Sequence, residues 1–337
     1  MENKRLFALQ KSLEFIGARQ NEKGYWEDFH ISEVATSNQW VTAYISYALL
    51  EQDNAVKYVK KAAAWLLATE LPGGGWGYNN TTPADADSTS NVLRLLASFN
   101  ETNGERELLY RLADFLISFQ DNDTGGFVTY RPDKTYVFAQ SGWCRPEVSV
   151  TAMAGAALLR VDKERYLEVL LQIKDFLLRN QLSAGCWESY WWNGRMYGTS
   201  LAVSFLWQIG ERTAARKGLA WIIRQQDFLL SPFNKALALF VLEMTKEGPE
   251  YTKILAISIE WLTEVQQPDG GWSSDNILKV PNPYEKLPPW ERPGNIPTRL
   301  VQDQNRLFTT ATVIRVLRRL PIRCVAPLSG ALSHYVE

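Results

Sequence analysis

Six times along this 337-residue chain an aromatic residue is followed five positions later by Gln, or in one copy by Glu. The pairs are Phe15/Gln20, Trp65/Glu70, Phe115/Gln120, Phe176/Gln181, Trp221/Gln226 and Trp261/Gln266, and their starts step by 50, 50, 61, 45 and 40 residues. Soon after the polar residue comes a Gly followed by an aromatic, reached at Trp26, Trp76, Phe127, Trp187 and Trp272. The fifth copy lacks this second piece and runs directly into LLSPF. Self-similarity at such a period means that each unit is one supersecondary element. Each buries its apolar face only by packing on its neighbours.

Each aromatic–Gln unit closes an amphipathic helical segment, such as GERELLYRLADFLISFQ, with its charges on one face. Between these units lie six further helical segments, at 37–51, 85–99, 145–159, 197–209, 231–244 and 304–320. They are rich in small residues and poor in charge past the first turn, as helices buried on most sides must be. Six wet helices alternating with six buried ones predict an all-α chain, an (α/α)6 barrel with an outer and an inner ring, over residues 1–320. Inner helices are expected to start near 38, 87, 147, 199, 232 and 305. Asp85, Asp87, Ser88 and Ser231 before Pro232 supply cap and first-turn chemistry. A Pro-rich connection at 273–304 is read either as a lid or as a strap over one barrel end, and 321–337 as a C-terminal tail.

Composition narrows the function. The net charge is −1, so no basic field draws the chain to nucleic acid. Three scattered Cys and two His (His30 and His334) give neither a disulfide framework nor a zinc-ligand spacing. No apolar run of membrane-spanning length occurs, and the charged N-terminus lacks a signal-peptide core. A cytoplasmic protein is the expectation, with peripheral membrane contact left open. Against this ordinary background, 13 Trp, 14 Tyr and 14 Phe must fill a large core or line a pocket.

The aromatic–x4–Gln unit followed by Gly–x–Trp resembles the QW motif of the squalene cyclase and class II terpene cyclase superfamily, from Phe7 to about Leu320. The resemblance implies the toroid shared by terpenoid cyclases and protein prenyltransferases. In it the Gln bonds backbone at a neighbouring helix end and the Trp is scaffold. The stretch PADADSTS at 83–90 resembles the D-x-D-D-T motif at which class II cyclases protonate an alkene or epoxide. By that likeness Asp87 matches the general acid, Asp85 the first Asp and Thr89 the Thr, while Ser88 stands where the family has a third Asp. Squalene-type relatives bind substrate between two such domains, whereas this sequence supplies one barrel, so a smaller enclosed substrate or a partner subunit would be needed.

Protonating an alkene requires an acid that keeps its proton at neutral pH. Burial and a neighbouring like charge from Asp85 would both favour that, and a helix N-terminus would oppose it. Capping of the second inner helix remains an equal reading of Asp85 and Asp87. A carbocation pocket should be aromatic, each cation–π contact contributing ~0.5–2 kcal/mol. The candidates are Trp40, Trp143, Trp191, Tyr197, Phe233 and Phe308, with Glu147 and Arg306 as polar groups at the same barrel end. No metal or cofactor is expected: there is no DDxxD-like run, and the sixth repeat lacks the Cys and His of a zinc prenyltransferase. The ligand is then a small hydrophobic or isoprenoid molecule. Two other readings stay open. One is an enzyme of different acid/base chemistry, such as a carbohydrate-active enzyme pairing Asp87 with Glu147 or Asp303. The other is a non-catalytic lipid- or cation-binding toroid.

Overall fold

Small side chains and a shortage of charge allow six helices to bury on almost every side. They are α2 (Gln39–Leu49), α4 (Ala86–Leu96), α6 (Val148–Asp162), α8 (Met196–Ile209), α10 (Pro232–Thr245) and α12 (Leu307–Leu317). In α8 every residue from Met196 to Leu206 is buried. The other six are α1 (Glu2–Gly17), α3 (Val56–Ala68), α5 (Asn103–Ile117), α7 (Leu167–Arg179), α9 (Arg212–Gln225) and α11 (Tyr251–Glu264). These bury one stripe only. In α3 it is Val59, Ala62, Ala63 and Leu66, a one-face spacing. The structure, a computed structural model, describes residues 2–50, 52–99, 103–132, 142–225, 230–248, 250–285, 287–291 and 298–318. The tail at 321–337, Gln226 and parts of the 273–304 connection lie outside the described residues.

The inner helices pack in sequence order, α2 on α4, then α6, α8, α10 and α12, and α12 packs back on α2. The ring is closed: an all-α (α/α)6 barrel. The inner helices start at residues 39, 86, 148, 196, 232 and 307, each beside its expected position. Two short antiparallel pairs were not anticipated. β1 (Asp28–Ile31) pairs with β2 (Ala35–Ser37), and β3 (Leu278–Val280) with β4 (Arg299–Val301). Both lie in connections at one end of the barrel and are too short to carry a periodicity of their own.

The repeat residues tie the rings together. The indole N–H of Trp26, Trp76, Trp187 and Trp272 each donates to the carbonyl ten residues upstream, on the preceding outer helix, at 2.7–2.9 Å. The Gln amides reach the next outer helix: Gln20 donates to the Tyr58 carbonyl, Gln181 to Ala214 and Gln266 to Ala8. Where Glu70 replaces Gln, Arg111 on the next outer helix supplies two donors at 2.7 and 2.8 Å, so the tie survives with its polarity reversed. A further regularity runs inward. The fourth residue of five inner helices is a Thr (Thr42, Thr89, Thr151, Thr199 and Thr310). Its hydroxyl accepts the backbone N–H of the repeat aromatic in the same unit. Gly75 has φ +74, and a Cβ there would run into Phe115 and the Thr89 hydroxyl, which is why the turn before Trp76 needs glycine.

Candidate active site

The inner helices begin at one common end of the barrel, and the connections there enclose a cavity of about 720 Å³. That volume falls in the range of small-molecule sites. Its floor is built from helix starts: Trp40 from α2, Asp85, Asp87 and Ser88 at α4, and Glu147, Ser149 and Val150 at α6. Its walls are mainly apolar and aromatic, with Ile31 and Val34, Tyr78, Tyr130, Trp143, Trp191 and Trp192. The 273–304 connection forms a further wall through Leu278, Val280, Pro281 and Tyr284. It is pinned to the barrel. The Trp143 indole donates to the Pro281 carbonyl at 2.9 Å, the Lys279 N–H to the Trp191 carbonyl at 2.8 Å, and Lys279 Nζ to the Ser189 carbonyl at 2.8 Å. At the rim Arg299 on β4 bonds Glu33 and Ser32 beside the β1–β2 hairpin, joining the two strand pairs.

Asp85 is the N-cap of α4. Its Oδ1 accepts the Ser88 N–H and its Oδ2 the Ser88 hydroxyl, both at 2.7 Å. Burial pushes its pKa up to about 7, against these donors. Asp87, in the first turn of the same helix, makes no cap bond with its carboxyl and faces the cavity. Its pKa is raised well above the usual carboxylate range, first by burial and then by the charges of Asp85 and Glu147. The Trp40 indole N–H, which has no hydrogen bond of normal geometry, faces it and acts weakly the other way, as does Arg94. The two carboxyls that the sequence left ambiguous differ in their bonding: Asp85 caps α4, and the Asp87 carboxyl makes no cap bond and lines the cavity.

Glu147 repeats the Asp85 arrangement on the neighbouring helix. Its Oε1 accepts the Ser149 hydroxyl and the Val150 N–H, both at 2.7 Å, and its Oε2 the Ser149 N–H at 3.0 Å. Burial raises its pKa against those donors. Of the two carboxylates considered as partners of Asp87, the cavity brings in Glu147 and not Asp303. Asp303 is buried at the start of α12, where it accepts from Thr309 beside Asp28.

Trp40, Trp143, Trp191 and Glu147 line the cavity. Tyr197, Phe233, Phe308 and Arg306 are not among its lining residues. Tyr197, Phe233 and Phe308 form a second layer beneath. Trp192 stacks on Tyr197 at 3.7 Å and on Phe233 and Phe308 at 5.5 Å, while Trp40 meets Phe308 at 5.0 Å. They plug the barrel centre and support the indoles above them. Arg306 turns outward, because its backbone is left-handed (φ +59) just before α12 and its guanidinium is held by Asp269 of the sixth repeat. Trp192, from the aromatic run at 190–197 that the sequence offers as a pocket rim, and Tyr78, which the sequence reading did not single out, also line the cavity.

A family model, the squalene-hopene cyclase C-terminal domain, matches residues 71–228. A squalene hopane cyclase of Aspergillus fumigatus is 24% identical over 230 residues, covering 64% of this chain and 30% of that protein. A squalene–hopene cyclase of Zymomonas mobilis is 25% identical over 293 residues, covering 70% of this chain and 44% of that one. The chain thus spans less than half the length of these curated relatives. A variant of the type II terpene cyclase MstE from Scytonema, solved with its substrate geranylgeranyl dihydroxybenzoate, superposes with a TM-score of 0.80 at 25% identity, over 94% of this chain and 97% of that one. The fold and repeat are those of a terpene cyclase toroid. In sequence and in structure the chain is similar to the squalene cyclase and class II terpene cyclase superfamily, as its QW repeats predict.

Among the described residues no helix is long and apolar enough to cross a membrane.

Proposed function

We propose that the chain is a class II terpene-cyclase-like enzyme in which Asp87 protonates an alkene of an isoprenoid substrate held in the aromatic cavity. The observation that carries this reading is the position of Asp87. It is a buried carboxyl, its pKa raised above the usual carboxylate range, presented without a cap bond to a cavity walled by Trp40, Trp191 and Trp192. An alkene is so weak a base that water must be kept from competing, and an apolar enclosure does that. Once formed, a carbocation meets indole faces that stabilise it by ~0.5–2 kcal/mol each. Asp85 acts from its cap as the anchor of the helix start that carries Asp87.

The Scytonema cyclase is of nearly the same extent as this chain and binds a geranylgeranyl arene. That supports a substrate held within one toroid. The test is to offer the purified chain geranylgeranyl dihydroxybenzoate, shorter linear isoprenoids and oligosaccharides in parallel. A cyclised isomer of an isoprenoid is the expected product. Cleavage of a glycosidic bond with no isoprenoid turnover would overturn the reading.

A further inference from the structure

Two carboxyl groups line the cavity floor besides the cap Asp85, and they stand on adjacent inner helices. Asp87 is in the first turn of α4 and Glu147 is the N-cap of α6. Their surroundings differ in kind. The Asp87 carboxyl has only the poorly placed Trp40 N–H beside it. The Glu147 carboxyl takes the Ser149 hydroxyl and the Ser149 and Val150 N–H groups, donors that favour the ionised form and work against the burial that raises its pKa. A carboxyl held by three donors and a carboxyl without a cap bond, both lining one cavity, are placed to act as base and acid. A cap alone would not have to face the cavity. Ser231 caps α10, for example, and does not line it.

We propose, resting on the cyclase reading above, that Glu147 is the base that ends the reaction Asp87 begins. In the first step the Asp87 O–H bond breaks and a C–H bond forms at the substrate alkene, leaving a carbocation and the Asp87 carboxylate. Ring closure moves the cation along the chain through the π electrons of further alkenes. In the last step a C–H bond next to the cation breaks, its electron pair becomes a C=C bond, and the proton passes to a Glu147 oxygen. The substrate is isomerised with no gain or loss of atoms, so no oxidant or reductant is needed. After product leaves, solvent removes the proton from Glu147 and returns one to Asp87. Ser149, bonded to both Glu147 oxygens, holds the carboxylate in place throughout.

The test compares product profiles, with geranylgeranyl dihydroxybenzoate as the probe, for the wild type, Glu147→Gln and Glu147→Ser. Ser is itself a good N-cap, so the second variant removes the base while keeping the helix start. Melting temperatures show that each variant is folded. The expected result is slower consumption in both variants. The wild-type olefin should fall by about tenfold or more as a share of product, and water-quenched alcohols should take its place. An unchanged olefin profile in the folded Ser variant would overturn the assignment. So would complete loss of consumption, because Glu147 would then act before quenching. A wild-type chain that leaves every isoprenoid untouched is a different result and overturns the cyclase reading itself.

Discussion

Thr89 holds the backbone of Trp76: its hydroxyl accepts the Trp76 N–H at 3.2 Å and bonds the Trp76 carbonyl at 3.3 Å. The N–H tie recurs at Thr42, Thr151, Thr199 and Thr310, at helix starts that have no Asp–x–Asp sequence. The Thr of the acid motif is therefore part of the scaffold. Thr89→Val keeps the shape but leaves the buried Trp76 N–H without its partner, at a cost of ~1–3 kcal/mol. Denaturant melts should show that loss while the product profile of the folded variant stays that of the parent.

Trp76 is fully buried, with its indole N–H spent on the Leu66 carbonyl. Trp76→Ala should lower stability by ~3–5 kcal/mol, the usual range for a buried aromatic. A variant that melts like the parent and yet makes no product would place Trp76 in the site instead.

Ser88, where the family motif has a third Asp, gives Asp85 two of its donors. Ser88→Ala removes the hydroxyl and keeps the N–H cap. A loss of about 1 kcal/mol follows, the usual net value of one such bond. Product formation should continue, since Asp87 does not depend on the Ser88 hydroxyl. Calorimetry with a turnover assay on the same preparation checks both.

The pH dependence of stability has a defined sign. The Asp85 carboxyl goes from an ordinary 3.8 to about 7 on folding. Between those values the native chain holds a proton that the unfolded chain has released. Its contribution is fully present below about pH 4 and is lost as pH rises towards 7. The slope from one such group is at most ~1.4 kcal/mol per pH unit. Asp85→Asn should flatten the stability curve in that window, as read by denaturant melts from pH 4 to pH 8. A slope unchanged in the variant would mean that Asp85 is not protonated in the native state.

The ring was legible because the signals that make it are local. Helix starts announce themselves through caps such as Asp85 and Ser231, and the repeat fixes how many helix pairs must close on each other. Of the residues the sequence singled out, Trp40, Asp87 and Glu147 reach the cavity from helix starts and Trp143 and Trp191 from connections. Tyr197, Phe233 and Phe308 are equally aromatic and equally close to helix starts. Which of them meets the cavity depends on the layer made by Trp192, a residue outside the helices. Arg306 bonds Asp269 of the sixth repeat, a pairing between distant segments that no local pattern of charge reveals. The 273–304 connection was visible as a Pro-rich run, but its anchoring on Trp143 and Trp191 joins segments more than 80 residues apart.

The central claim is that Asp87 delivers the proton, and Asp87→Asn tests it most directly. Asn keeps the shape, and the α4 cap is made by Asp85 and Ser88, so the melting temperature should stay close to that of the parent. The measurement is cyclised product per enzyme from geranylgeranyl dihydroxybenzoate, made on wild type and variant at matched folded concentration. Turnover should fall by ~10²–10⁴-fold, the usual contribution of a positioned acid. Full activity in a folded Asp87→Asn chain would contradict the account.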